Sequence, residues 1–390
     1  MLMQNLATRL KIHHQNGLIR KRNVITNQEL ENTIFVNGMC AINFTSNDYL
    51  GLNKNQKIIE SFIGGVKKYG FGSGASALIS GYSEIHAQTE EKFAKWLNVD
   101  KALLFNSGYH ANIGVMSALP NRSKIILSDK YCHSSLLEGI QLSRAKHYRY
   151  KHSNIRHFKE LIEKKSPHFV VTESVFSMSG CITPINEIIE VTQNINSNLI
   201  IDDAHGIAIL GKNGGGICEA YKINQNQYTC LVLPLGKAFN GMGAIVAGRS
   251  QIIEYLLQFA KSYKYSTLLP PAVCSALQTA LSIIINEKWR RELLKRKIHF
   301  FINYASEIGL ELISKDITPI KCIVVSNNNQ IMQLQTYLLE QGFYVSAIRP
   351  PTIPPNSARL RISLNCHHSE SQMMNLLDFI QKGLKNVIYK

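Results

Sequence analysis

Short apolar runs alternate with helix-period stretches over the middle of the chain. The runs are ALLF at 102–105, IIL at 125–127, FVV at 169–171, LII at 199–201, CLVL at 230–233 and AIVA at 244–247. Several have no polar face, the pattern of strands covered on both sides. Their alternation with helical segments predicts an α/β domain with a largely parallel sheet. Before it, residues 1–22 carry Leu2, Leu6, Leu10 and His13 at helical spacing. Two β-like runs at 34–36 and 41–44 flank Asn37-Gly38, a hairpin signal. After it, Pro270-Pro271 marks a break, and a long helical pattern covers 272–306. A strand at 320–325, a helix at 330–340, a strand at 358–364 and a helix at 369–384 complete a smaller α+β region. The expected divisions are an N-terminal helix and hairpin at 1–45, a large α/β domain at 46–285 and a small C-terminal domain at 286–390.

Composition removes some alternatives. The chain has 390 residues, 45% hydrophobic and 18% charged, which excludes disorder and collagen as overall descriptions. The most apolar helical stretch, 272–285, is short and is interrupted by Ser275, Gln278, Thr279 and Ser282, so no membrane span is expected. Net charge is +16. The lysines are dispersed rather than blocked, so the charge points away from nucleic acid and at most toward an acidic substrate or carrier. The first 28 residues hold no acid but include Arg9, Lys11, Arg20, Lys21 and Arg22. They lack a secretory apolar core. Eight scattered cysteines form no C-x-x-C pair and no zinc spacing, so no metal site is expected. They read as thiols of a reducing compartment, and the cytoplasm is the expected location.

In an open α/β sheet, chemistry collects beyond the carboxyl ends of the strands. Asp202, Asp203 and His205 follow the run at 199–201, and Lys237 follows the run at 230–233. Ser107, Gly108 and Tyr109 follow 102–105 and open a helical pattern, while Glu173 and Ser177 follow 169–171. Alone, Gly-Lys is more often a solvated lysine, and Ser-Gly a helix cap. Together they offer an amine for a Schiff base, a carboxylate for a pyridine nitrogen and backbone amides for a phosphate. That set matches pyridoxal phosphate.

Longer stretches carry a resemblance. They include NFTSNDYLGL at 43–52, GFGSGASALISGYSEIHAQTEE at 70–91, LFNSGYHAN at 104–112, SDKYCHSSLLE at 128–138 and TESVFSMSG at 172–180. IDDAHG at 201–206, GKAF at 236–239, YSTLLPP at 265–271 and AIRPPTIPPNSARLRISL at 347–364 follow in order. The chain resembles the α-oxoamine synthase family of fold-type-I pyridoxal-phosphate enzymes over nearly its whole length. The resemblance implies a seven-stranded, mostly parallel sheet in the large domain and a homodimer with shared active sites. It gives Lys237 the covalent hold on the cofactor and removal of the substrate Cα proton. Asp202 would meet the pyridine nitrogen, His205 the ring hydroxyl and His133 the ring face. Gly108, Tyr109 and Ser177 would also contact the cofactor. Ser266 and Thr267 would reach the phosphate of the neighbouring subunit. Asn47 and Glu173 would line the site, and Arg361 would bind the substrate carboxylate. Arg20 and Thr352 would touch the acyl substrate, with Lys21 and Arg22 adjacent to Arg20 as alternatives. Arg359 is expected to be an exposed base on an alternating strand.

Within the family, 348–355 (IRPPTIPP) with SNDYLGL and SMSG most resembles the branch that serves biotin biosynthesis. That branch joins L-alanine to a pimeloyl thioester of coenzyme A or acyl carrier protein, with loss of carbon dioxide. The alternatives are another α-oxoamine synthase, such as a glycine C-acetyltransferase, 5-aminolevulinate synthase or serine palmitoyltransferase, or a cofactor-binding paralogue without catalysis. No nucleic-acid or membrane partner is expected. Three positions depart from the family pattern: Pro234 where a Thr or Ser hydroxyl binds phosphate, Ser179 where the biotin branch has Asp, and Gly-Met-Gly at 241–243. Proline has neither a hydroxyl nor an N–H, so weaker cofactor retention is expected.

Overall fold

The computed structural model describes residues 2–27 and 32–388. The chain divides into two compact units, one of Met1–Tyr49, Met178–Gly180 and Leu293–Lys390, the other of Leu50–Ser177 and Cys181–Glu292.

The second unit holds a seven-stranded sheet. Its order is Lys101–Phe105, Ala244–Gly248, Cys230–Pro234, Asn198–Asp202, Phe169–Glu173, Ile125–Asp129 and Lys146–Tyr150. Ala244–Gly248 runs antiparallel to both neighbours, and every other pairing is parallel. The sheet is therefore mostly parallel, and each apolar run of the sequence is a strand. Lys146–Tyr150, sequence KHYRY, is the strand that the apolar pattern misses. It is an edge strand, and an edge needs no two-sided apolar cover.

One face carries a continuous core that includes Phe105, Val115, Met116, Ile126, Leu136, Ile140, Val171, Ile200, Val232 and Val246. The helices Gly108–Ala118 and Ser134–Ser143 pack on one another there. Gly139 permits the close crossing, since a Cβ at that position would lie 2.7 Å from Met116 Cβ. These two helices begin at the carboxyl edge of the sheet, which brings their first turns to the ends of the strands.

The first unit has a three-stranded antiparallel sheet, ordered Ile320–Ser326, Ala358–Ser363, Ser346–Ile348. A second sheet contains the hairpin Thr33–Val36 and Met39–Asn43. Asn37 and Gly38 both have positive φ (50° and 87°), as the Asn-Gly signal requires. The N-terminal helix is shorter than the periodicity suggests. It spans Leu2–Gln15 and ends before Gly17, whose φ is 65°. None of its residues is buried. The 272–306 pattern resolves into two helices, Pro271–Asn286 and Trp289–Glu307, with Glu287 capping the first. No described helix is long and apolar enough to cross a membrane. All eight cysteines are free thiols; Cys40 is exposed, Cys181 half-buried and the other six buried.

Arg359 corrects an expectation. Ala358–Ser363 is the central strand of its sheet and is buried along its whole length, so Arg359 is 4% exposed. Its guanidinium donates to Met178 O (2.8 Å) and to Ser357 O (3.1 Å). Replacing Arg359 with Ala would leave two carbonyls unbonded beside a void. A loss of about 3 kcal/mol in urea unfolding is expected, with no loss after Arg359→Lys only if a single donor suffices.

Candidate active site

Three adjacent parallel strands end in buried carboxylates: Asp129, Glu173 and Asp202. Glu173 and Asp202 are register partners, so their side chains emerge side by side. Asp202 is held by two donors, Asn112 Nδ2 at 2.7 Å to Oδ2 and Ala204 N at 3.0 Å to Oδ1. Asn112 sits on the Gly108–Ala118 helix and also donates to Ser135 Oγ (2.9 Å), while its own Oδ1 is buried without a partner. Ser135 in turn meets His133 Nδ1 at 2.7 Å. Asp202, Asn112, Ser135 and His133 thus form one connected line.

His133 caps the Ser134–Ser143 helix, and its backbone N–H donates to Glu173 Oε1 at 2.6 Å. More than a third of the residue is open to solvent, yet desolvation lowers the basicity of its imidazole. Asp202 opposes that shift, and the Lys237 charge adds to it. Burial pushes the Glu173 carboxyl up to about 8, helped by the Asp202 charge and opposed by Lys237. The electric field of Lys237 therefore reaches both Glu173 and His133. Lys237 itself is half-buried in the bend after Cys230–Pro234. His205 is 3% exposed in the turn after Asp202. Asp203 beside it accepts from Ile217 N (2.9 Å), and burial pushes its carboxyl up to about 7.

The Gly108–Ala118 helix start is a cradle. Ser107 Oγ accepts from His110 N (3.2 Å), and Ala111 N reaches Ser107 O (3.0 Å). No intramolecular acceptor takes the N–H groups of Gly108 and Tyr109 among the described residues. A Cβ on Gly108 would lie 2.5 Å from Pro234 Cγ, so the proline ring covers this turn directly. Pro234 costs the sheet no ladder bond to Ala244–Gly248. Leu235 N makes the bond to Gly243 O (3.0 Å), and the nitrogen one residue earlier faces the other way. Tyr109 Oη donates to Glu138. Thr267 O accepts from Asn106, and Ser266 Oγ donates to Ser262 O at 2.7 Å. Ser262 Oγ donates to His110 O (2.7 Å), so 262–267 lies along the same helix start. Ser177 is half-buried in the turn that follows Phe169–Glu173.

In the first unit, Arg361 is 6% exposed and donates to Asn47 Oδ1 (3.1 Å) and Ser363 Oγ (3.0 Å). Tyr49 Oη also donates to Asn47 Oδ1 (3.0 Å), and burial pushes its phenol up to about 12 despite the Arg361 charge. Arg20 donates to Thr352 Oγ1 at 2.9 Å, which joins two positions 332 residues apart. Arg349 grips Gly17 O and Ile19 O on either side of this arm. Lys21 and Arg22 are exposed, and no hydrogen bond joins either to Thr352.

Sequence reasoning missed Asn112, Ser135, Glu138 and Arg349. Asn112 closes the LFNSGYHAN stretch, and Ser135 and Glu138 lie in SDKYCHSSLLE, so position in a recognised motif was the available signal. A separate cavity of about 470 Å³, lined by Trp96, Cys218, Glu219, Lys222 and Tyr228 among others, includes none of the expected site residues.

The fold and this edge of the sheet define a class. The family model for aminotransferase class I and II matches residues 41–380, and the chain belongs to that family. Its relatives are narrower than the class: an 8-amino-7-oxononanoate synthase of Aliivibrio fischeri is 40% identical over 92% of this chain and 93% of its own. One of Thioalkalivibrio sulfidiphilus is 37% identical over 98% of each chain. The solved 8-amino-7-oxononanoate synthase of Francisella tularensis is 36% identical, with a TM-score of 0.80 over 90% of this chain and 99% of that one. Serine palmitoyltransferase from S. paucimobilis, solved with bound pyridoxal phosphate, shares the fold at a TM-score of 0.91 and 22% identity, covering 99% of this chain and 98% of its own.

The Glu173 carboxyl gives a pH signature. Its folded value near 8 lies above the ordinary 4.5, so the folded chain keeps a proton that the unfolded chain has lost. The stability this contributes is present below about 4.5 and falls as pH rises through about 8. Thermal melts of cofactor-free Glu173→Gln should therefore gain on the parent as pH rises from 5 to 8. An unchanged difference across that range would remove Glu173 as the titrating group.

Proposed function

We propose that the chain is a pyridoxal-phosphate-dependent C-acyltransferase that condenses L-alanine with a pimeloyl thioester. The products are 8-amino-7-oxononanoate, carbon dioxide and the free thiol carrier, a step of biotin biosynthesis. The observation that carries this reading is the convergence of Lys237, Asp202, Glu173 and His133 beside an amide cradle. An amine, an anchored carboxylate and open helix-start amides complement an aldehyde, a pyridine nitrogen and a phosphate, so the donor set fits the cofactor.

When bound, the cofactor ring accepts the electron pair left at Cα when a proton or carboxylate departs. Lys237 Nζ holds the cofactor and then takes the Cα proton of alanine. Asp202, fixed by Asn112, presents a carboxylate to the ring nitrogen and keeps that nitrogen protonated. His205 would serve the ring hydroxyl, and His133 would stack on the ring face. Gly108, Tyr109 and Ser177 serve the cofactor, the first two through amides at the helix start. Arg361, kept in place by Asn47 and Ser363, grips the alanine carboxylate, which a planar guanidinium suits. The grip ends when that carboxylate leaves as carbon dioxide. Arg20 and Thr352 receive the acyl chain. Ser266 and Thr267 act on the cofactor phosphate of a second copy of the chain, which makes the working form a homodimer. Phe71 (95% exposed), Ile79 (79%) and Tyr265 (75%) supply apolar surface for such a partner. Dispersed free thiols support a cytoplasmic location.

The test is product formation. L-Alanine and pimeloyl-coenzyme A should give an amino ketone of the expected mass, with one carbon dioxide released per thiol. Lys237→Ala should abolish it, and Arg361→Ala should raise the KM for alanine more than it lowers kcat. Equal or better turnover of glycine with acetyl-coenzyme A would move the chain to a sister activity. No visible band on saturation with pyridoxal phosphate would overturn the cofactor assignment.

Pro234 yields a second test. Pro234→Thr puts a hydroxyl in place of the ring that lies against Gly108. Each charge-assisted bond contributes about 1.5–3 kcal/mol, so cofactor dissociation should tighten at least about tenfold. Equilibrium dialysis of the two proteins would read it directly.

A further inference from the structure

A second group of chemically active side chains lies apart from Lys237, at the end of the Ile125–Asp129 strand. Asp129 is fully buried and is met by three donors. Tyr131 N donates to Oδ1 (2.7 Å), Ser153 N donates to Oδ2 (2.9 Å), and His152 Nδ1 lies 3.0 Å from Oδ1. The imidazole of His152 is wedged between Tyr131, stacked at 4.5 Å, and the edge of Phe176 at 4.4 Å. That packing fixes its orientation. Nδ1 is committed to Asp129, and the Cys181 side chain is a further hydrogen-bond partner of the ring. Cys181 is brought there by a tight reversal of the chain. Phe176 N donates to Cys181 O (3.0 Å), Val175 bridges Ile182, and Thr183 N donates to Ser174 O (2.9 Å). The order is nucleophile, base and orienting carboxylate.

We propose that Cys181, His152 and Asp129 form a reactive-thiol site that takes up low-molecular-weight disulfides as a reversible modification. His152 accepts the Sγ proton, and Asp129 stabilises the resulting imidazolium. The Cys181 thiolate attacks one sulfur of the disulfide. A new S–S bond forms, the old one breaks, and the departing thiolate takes up a proton. Cys181 is oxidised to the disulfide level and one equivalent of thiol is released, so electrons balance without a further oxidant. Excess thiol reverses the step.

Burial opposes a charge on His152, yet its bonds to Asp129 and Cys181 and their charges push it up to about 9. An imidazolium at neutral pH is the partner that keeps a neighbouring thiol ionised. Exposure sets Cys181 apart from the six buried thiols, and Cys40, exposed on a hairpin, supplies an internal reference rate.

The experiment treats the full-length holoprotein with glutathione disulfide and follows each cysteine-containing peptide by mass spectrometry. Cys181 should form its adduct about tenfold faster than Cys40. His152→Gln should bring the Cys181 rate down to that of Cys40 or below, with the Cys40 rate unmoved. Methyl methanethiosulfonate in excess should still label Cys181 in His152→Gln, which separates lost activation from lost access or folding. A Cys181 rate no greater than that of Cys40 would overturn the proposal. So would an unchanged Cys181 rate in His152→Gln.

Discussion

Three buried carboxyl groups at the ends of three neighbouring strands are the constraint from which the rest of this site follows. Asp129, Glu173 and Asp202 are each at most 3% exposed, and a buried carboxylate is costly unless it is paired, hydrogen-bonded or protonated. The protein uses a different remedy at each. Asp129 receives an imidazole and two backbone amides. Glu173 keeps its proton to about pH 8 and takes one amide. Asp202 receives a side-chain amide and a backbone amide but no cation among its recorded bonds. In the proposed reading the pyridine nitrogen of the cofactor completes it. The electrostatic need of the strand end and the binding of the cofactor are then one and the same interaction.

That need propagates outward through helix starts. Asn112 reaches Asp202 only because its helix begins at the strand edge and crosses its neighbour closely at Gly139. The neighbouring helix starts at His133, whose amide is spent on Glu173. Two helices thus deliver one polar group each to two carboxyl groups, and their apolar faces fill the core beneath. Packing and chemistry are set by the same pair of elements. A substitution that shifts either helix would be felt at Asp202 before it was felt in the core.

The strands were legible because burial on both faces writes itself as an unbroken apolar run. Asn37-Gly38 was legible because a two-residue turn with positive φ has few solutions. Lys237, Asp202 and His205 were legible because a parallel sheet sends its chemistry to one edge and the motifs around them are specific. What stayed hidden depended on contacts between residues far apart in sequence. Arg359 looked like one of two alternating bases; only the pairing of its strand on both sides makes it buried. The N-terminal helix stops at Gln15 because Gly17 turns left-handed, whereas the apolar spacing continues to suggest helix. Asp129, His152 and Cys181 are separated by tens of residues, and no local pattern joins them.

Pro234 shows how the sheet limits what the site can change. In the middle of most ladders a proline would break a bond, but here the ladder bond belongs to Leu235, and the ring finds a seat on Gly108, which has no Cβ to oppose it. The substitution is therefore neutral to the fold, and what it removes is the hydroxyl that a Thr or Ser side chain would carry beside Gly108. The remaining donors there, the N–H groups of Gly108 and Tyr109, belong to the backbone and cannot be lost by a side-chain change. A phosphate site built on a helix start keeps its main attraction after one hydroxyl is gone. That is the physical reason to expect a weaker hold on the cofactor rather than a different chemistry.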